Sequence, residues 1–66
     1  MPIIEIHLRV GRTPEQKLAL HEKVAAAAAE AVDCDLSIVR ILITEHAADE
    51  FSVGGKLKAY KPAESS

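Results

Sequence analysis

Thr13-Pro14-Glu15-Gln16 is a strong helix start, and the rest of the chain has to be arranged around it. Thr13 can cap the helix with its hydroxyl, and Pro14 suits the first helical position, where a missing N–H costs nothing. Gln16 completes a capping box, and Glu15 places negative charge at the positive end of the helix dipole. Leu20, Val24, Ala27, Ala28 and Ala31 then recur at helical spacing. The run Ala25–Ala29 has high helix propensity and little bulk, so the helix can lie close to a sheet. This pattern predicts a helix over Pro14–Val32, ended by Asp33-Cys34-Asp35.

Upstream, Ile4, Ile6 and Leu8 alternate with Glu5, His7 and Arg9, which is the period of a strand. Gly11-Arg12 turns the chain into the helix. Downstream, Ile38–Glu45 is nearly continuous in apolar residues, as in a strand covered on both faces. Strand, helix, strand predicts an α/β fold, a single βαβ unit with parallel strands and a right-handed crossover. His46–Glu50 reads as a polar loop. Phe51–Lys58 reads as a short hairpin around Gly54-Gly55, and residues 58–66 as a mobile tail. There is no internal repeat, so residues 1–66 are expected to form one domain.

A chain of 66 residues buries a modest fraction of its surface, and a single core rarely stabilises it well; the usual remedies are disulfides, a structural metal or further copies. Cys34 is the single cysteine, which excludes an intrachain disulfide, and His7, His21 and His46 lack zinc-site spacing. Oligomerisation remains, because two strands and one helix leave open edges and an uncovered face. A net charge of −2 without any basic run argues against nucleic acid as a partner. No apolar stretch reaches the ~20 residues of a membrane span and no export signal is present, so a cytoplasmic location is expected.

Two residues carry chemistry. Pro2 follows the initiator Met, whose removal would leave a free secondary amine at a rigid position. An unperturbed α-amino group has a pKa of ~7.7–8.0, and burial or neighbouring cations lower it, making a general base at neutral pH. Read without chemistry, Pro2 simply begins a strand. Arg40 is a cation inside an apolar strand, which is costly unless it has a partner. That partner is either a carboxylate across an oligomer interface or a carboxylate substrate.

With these residues placed, the sequence resembles the tautomerase superfamily, and within it the short-chain 4-oxalocrotonate tautomerase group. The matching stretches are Pro2-Ile3-Ile4, Gly11-Arg12-Thr13 with Glu15-Gln16-Lys17, Ser37-Ile38-Val39-Arg40 with Ile43-Thr44-Glu45, and Phe51-Ser52-Val53-Gly54-Gly55. The resemblance implies a βαβ subunit assembled as a hexamer, a trimer of dimers, that catalyses enol–keto isomerisation of a 2-hydroxy-dienoate or a related unsaturated 2-oxo acid without a cofactor. By the same resemblance Pro2 is the catalytic base and Arg12 binds the distal carboxylate. Arg40 engages the 2-hydroxy or 2-oxo group and one carboxylate oxygen. Phe51 makes the site apolar, and Leu8 is a wall position.

Arg9 departs from the simple pattern. A second arginine there, with Gly11–Leu20, resembles one subunit of the trans-3-chloroacrylic acid dehalogenases, which implies hydration of a 3-substituted acrylate as an alternative. Those enzymes activate water with a glutamate just after the phenylalanine-like position, whereas Ser52-Val53 follows Phe51 here and Glu50 precedes it. Arg9 otherwise reads as a solvated or interface residue, and His7 as an interface hydrogen-bonding one. A different class of alternative is a non-catalytic subunit of a hetero-oligomer, supplying only packing or an arginine to a partner's site.

Overall fold

The cap at Thr13 forms in full. In the computed structural model, which describes residues 1–57, the Thr13 hydroxyl accepts from the Gln16 N–H at 3.1 Å. The Gln16 side chain accepts from the Thr13 N–H at 3.0 Å. Such a cap is worth about 1 kcal/mol. The helix it opens, α1 (Pro14–Val32), ends on Asp33 in the left-handed region at φ 57°. The N–H groups of Asp33 and Cys34 both turn back to the Ala29 carbonyl.

Strand β1 (Ile3–Arg9) precedes the helix and strand β2 (Arg40–His46) follows it, and the two pair in parallel. The register runs from Ile3 opposite Arg40 to Arg9 opposite His46. One further bond extends the pairing at each end. The Arg40 N–H donates to the Pro2 carbonyl at 3.0 Å, and the Val10 N–H to the His46 carbonyl at 2.9 Å. Gly11, at φ 122°, makes the turn from β1 toward α1 in a conformation that side-chain-bearing residues rarely adopt.

Strand β2 begins two residues later than the expected Ile38, and runs one residue past Glu45. The reason is local. The Asp35 carboxylate accepts from the Ser37 N–H at 2.9 Å and caps a 3-10 turn over Leu36–Ile38, with the Val39 N–H bonded to the Leu36 carbonyl. An apolar run reports burial and not conformation, so Ile38 is half-buried but lies in the turn. The hydrogen bonds from Ser37 hold the Asp35 carboxyl below its ordinary range. The cap is therefore intact at neutral pH and is lost as pH falls through that lowered value.

The sheet has two unlike faces. Ile4, Ile6, Leu8, Ile41 and Ile43 alternate as the half-buried positions, under α1. On the other face Ile3 is 62% exposed and Leu42 52%, alongside Glu5, His7, Arg9, Arg40 and Thr44. The expectation of a second strand covered on both faces is not met within one protomer, and no side chain among the described residues is fully buried. The helix stripe is also displaced from the one its spacing suggested. Leu20, Val24 and Ala28 are half-buried, whereas Ala27 and Ala31 are exposed. Ala25 and Ala29 are half-buried in their place, which shifts the covered stripe toward the 21–25–29 side of the helix.

After β2, the segment expected as a loop contains a second 3-10 turn, Ala48–Glu50. The expected hairpin is reduced to a single antiparallel bridge between Val53 and Lys56. Its turn residues Gly54 and Gly55 both have positive φ, at 61° and 80°. That is the geometry for which a Gly-Gly pair is suited. Lys58 and the expected tail, residues 58–66, lie outside the described residues. No helix among the described residues is long and apolar enough to cross a membrane.

Candidate functional site

The residues singled out by the sequence fall into two groups at opposite ends of the sheet. Pro2 and Arg40 meet at the end where β1 and β2 both begin, joined by the 3.0 Å bond from the Arg40 N–H to the Pro2 carbonyl. Pro2 is half-buried behind Met1, which is 71% exposed. The Arg40 side chain is exposed on the uncovered face, and its Nη1 donates to the Ser37 carbonyl at 3.2 Å. The Asp35-capped turn thus holds the guanidinium that follows it. Arg40 makes no ion pair among the described residues, so neither of its two explanations is met by a described carboxylate of its own protomer.

Leu8 and Arg12 meet at the other end. With Gln16, Lys17 and Leu20 they line a cavity of about 260 Å³ between the end of β1 and the first turns of α1. The helical spacing of Gln16, Lys17 and Leu20 brings all three to one side of α1. The cap holds the Gln16 side-chain oxygen, and Arg12 and Lys17 are the cations lining the cavity, the charged groups that can receive an anion. Lys17 Nζ also lies 3.0 Å from Glu45 Oε2, each side chain about one-third exposed. Glu45 stands opposite Leu8 in the sheet register. Phe51 follows the C-terminal end of β2 and is 48% exposed.

Arg9 ends β1 on the uncovered face and pairs in register with His46. His7, on that same face, places its Nδ1 2.8 Å from His46 Nε2, with the rings stacked 5.1 Å apart. The two imidazoles bond to each other, one as donor and one as acceptor. From Pro2 to Leu8 is six steps along an extended strand, about 20 Å at ~3.3 Å per residue. A small substrate cannot touch both groups in one protomer. The candidate site residues of one chain therefore lie in two separate groups, one at each end of its sheet.

Lys17, Glu45 and the His7–His46 pair are not marked as site features by the sequence alone. Lys17 lies inside an ordinary amphipathic helix, and Glu45 and His46 close an apolar strand. What links them is the register. Once Ile3 is set opposite Arg40, Leu8 must face Glu45, and His46 comes beside Arg9 and within reach of His7.

Comparison with known proteins agrees with this architecture. The family model described as tautomerase enzyme matches residues 2–61. A 2-hydroxymuconate tautomerase of Pseudomonas putida is 44% identical over 57 residues, covering 86% of this chain and 90% of that protein. Among solved structures, an apo unfused 4-OT superposes with a TM-score of 0.84 at 34% identity, covering 91% of this chain and all of the other. A heterohexamer 4-oxalocrotonate tautomerase from Chloroflexus aurantiacus gives a TM-score of 0.82 at 39% identity, over 85% of this chain and 90% of its own. The parallel βαβ unit, the matched span and the shared identity lead to one conclusion: this chain belongs to the tautomerase family and is an isomerase.

Proposed function

We propose that the protein isomerises a 2-hydroxy-dienoate dicarboxylate, 2-hydroxymuconate or a close analogue, with Pro2 as general base once Met1 has been removed. The observation that carries this reading is the separation of two half-sites along one strand. A backbone bond joins Pro2 to Arg40 at one end, and Leu8 and Arg12 line a cavity at the other, the end from which the chain leaves β2 toward Phe51. Packing copies of the chain brings an end of one sheet against the opposite end of another, so each site takes its base and its distal cation from different protomers. The uncovered sheet face, with Ile3 and Leu42 exposed, supplies apolar surface for that packing. The assembly we propose is a homohexamer, whose mass light scattering reads directly. A folded monomer at micromolar concentration would sink it. A cytoplasmic location belongs to the same reading.

The chemistry follows from the groups available. The neutral Pro2 nitrogen takes the proton of the 2-hydroxyl, the oxygen becomes a carbonyl, and the electron pair moves along the conjugated chain. The same nitrogen then returns the proton to carbon, so the amine ends as it began. Arg40 faces the oxygen and its adjacent carboxylate as charge moves there. Arg12 forks onto the distal carboxylate. Phe51 and Leu8 keep the site apolar, which strengthens both contacts. Arg9 ends its strand on the other face of the sheet from Leu8, and we assign it to the rim of the site. The hydratase alternative lacks the carboxylate it needs after Phe51.

Subunit mixing tests the split site. An Arg12→Ala protein and a protein with blocked Pro2 should each be nearly inactive on 2-hydroxymuconate. Unfolded and refolded together, they should recover activity, because some sites then draw Pro2 and Arg12 from two intact donors. If both residues came from one protomer, every mixed site would carry a defect and no activity would return.

A further inference from the structure

We propose that the Lys17–Glu45 ion pair sets how strongly the Leu8–Arg12 cavity accepts the second carboxylate of a substrate, with Lys17 as a binding cation and Glu45 as its attenuator. The inference deepens the functional reading above and rests on Arg12 receiving that carboxylate.

Lys17 lines the cavity next to Arg12, while Glu45 holds it at 3.0 Å from the neighbouring strand. One ammonium N–H is spent on Glu45, which leaves two for a ligand. The charges near the cavity are two cations and one carboxylate, a net of +1. Removing the Lys17 charge brings this to zero and leaves the Glu45 carboxylate uncompensated close to an incoming anion. Removing the Glu45 charge raises it to +2 and frees the ammonium to turn into the cavity. Each side chain is about one-third exposed, so solvent screens the effect without erasing it. The fold keeps the pair in place from both sides. Lys17 is one helical turn from the cap at Thr13, its N–H bonded to the Thr13 carbonyl at 3.0 Å. Glu45 is fixed opposite Leu8 by the strand register.

This assignment separates from a merely structural tie by sign. An ion pair that only fastens α1 to β2 suffers equally from loss of either partner. A pair that tunes the cavity responds in opposite directions. The measurement is the ratio of kcat/KM for 2-hydroxymuconate to that for the same dienol without its second carboxylate, in wild type, Lys17→Met, Glu45→Gln, the double variant and Lys17→Arg. Lys17→Met should lower the ratio about three- to tenfold through KM, and Glu45→Gln should raise it about twofold or more. The double variant should fall between them, and Lys17→Arg should restore the ratio. Shifts of the same sign in the two single variants, or none in either, overturn the proposal. If Lys17→Met does not assemble, Glu45→Gln decides it: a raised ratio supports the proposal, and a lowered or unchanged one overturns it. Arg12→Ala is measured alongside. A ratio unchanged by Arg12→Ala overturns the dicarboxylate reading and this inference with it. A ratio lowered by Arg12→Ala but moved in parallel by the pair overturns the role of the pair alone.

Discussion

Acylating the Pro2 nitrogen of the mature protein should abolish turnover of 2-hydroxymuconate. An acylated nitrogen is an amide, whose lone pair is delocalised into the carbonyl and cannot take up a proton at neutral pH. Retention of Met1 has the same effect by the same chemistry, so intact mass and activity should vary together across preparations. In the active protein, kcat/KM should rise with pH through a single step below ~7.7, the ordinary α-amino range. The sign follows from the base role. Only the unprotonated amine accepts a proton, so activity grows as the pH passes the amine's pKa. Arginines at the site disfavour its protonated form and pull that step to lower pH. Pro2→Ala keeps a free amine after Met removal but makes it primary and its backbone looser, so activity should fall without vanishing. Full-rate turnover by acylated protein would end the proline-base mechanism.

Arg40→Ala and Arg12→Ala should each lower kcat/KM on the dicarboxylate by about ten- to a hundredfold, with the assembly intact. Loss of a hydrogen bond to a charged group costs roughly 1.5–3 kcal/mol, which sets this scale. The two should differ in kind. In the proposed mechanism Arg40 acts at the oxygen on which charge develops, so its loss should appear mainly in kcat. In the same mechanism Arg12 holds a carboxylate whose charge is the same before and during reaction, so its loss should appear mainly in KM. Both side chains are exposed in the protomer and form no ion pair among the described residues, so neither truncation uncovers a buried charge. Steady-state kinetics with a light-scattering control separates these outcomes. Undiminished activity in both variants would leave the arginines as structural residues.

Local rules made the helix legible to the residue. Thr13, Pro14 and Gln16 specify its start through bonds formed within one turn, and Asp33 ends it as expected. Alternation in β1 gave its two faces for the same reason, because a strand repeats every second residue whatever it packs against. The start of β2 was misread where two local signals compete. Ile38 and Val39 look like strand, but the Asp35 side chain offers the Ser37 N–H an alternative partner and the turn prevails. The apolar character of β2 is a statement about an assembled surface, which one chain cannot display.

The site was legible as a set of residue types and not as a place. Pro2, Arg12, Arg40 and Phe51 can be named from motif and chemistry, yet nothing in their order along the chain says that a strand's length separates Pro2 from Arg12. Lys17 and Glu45 lie 28 positions apart and meet only through the parallel register. No pattern confined to one element carries that contact. Family resemblance supplied the roles, and the fold supplied the geometry.

The opposite placement of the two half-sites has a kinetic consequence. If a working centre needs chains in association, the number of centres depends on total protein by mass action and not in simple proportion to it. Above the dissociation constant, specific activity is constant. Below it, specific activity falls on dilution even though every chain is chemically intact. Dicarboxylate bridging the two ends draws chains back together, so substrate itself protects against that loss. On the split-site proposal, catalytic competence is a property of concentration as much as of sequence.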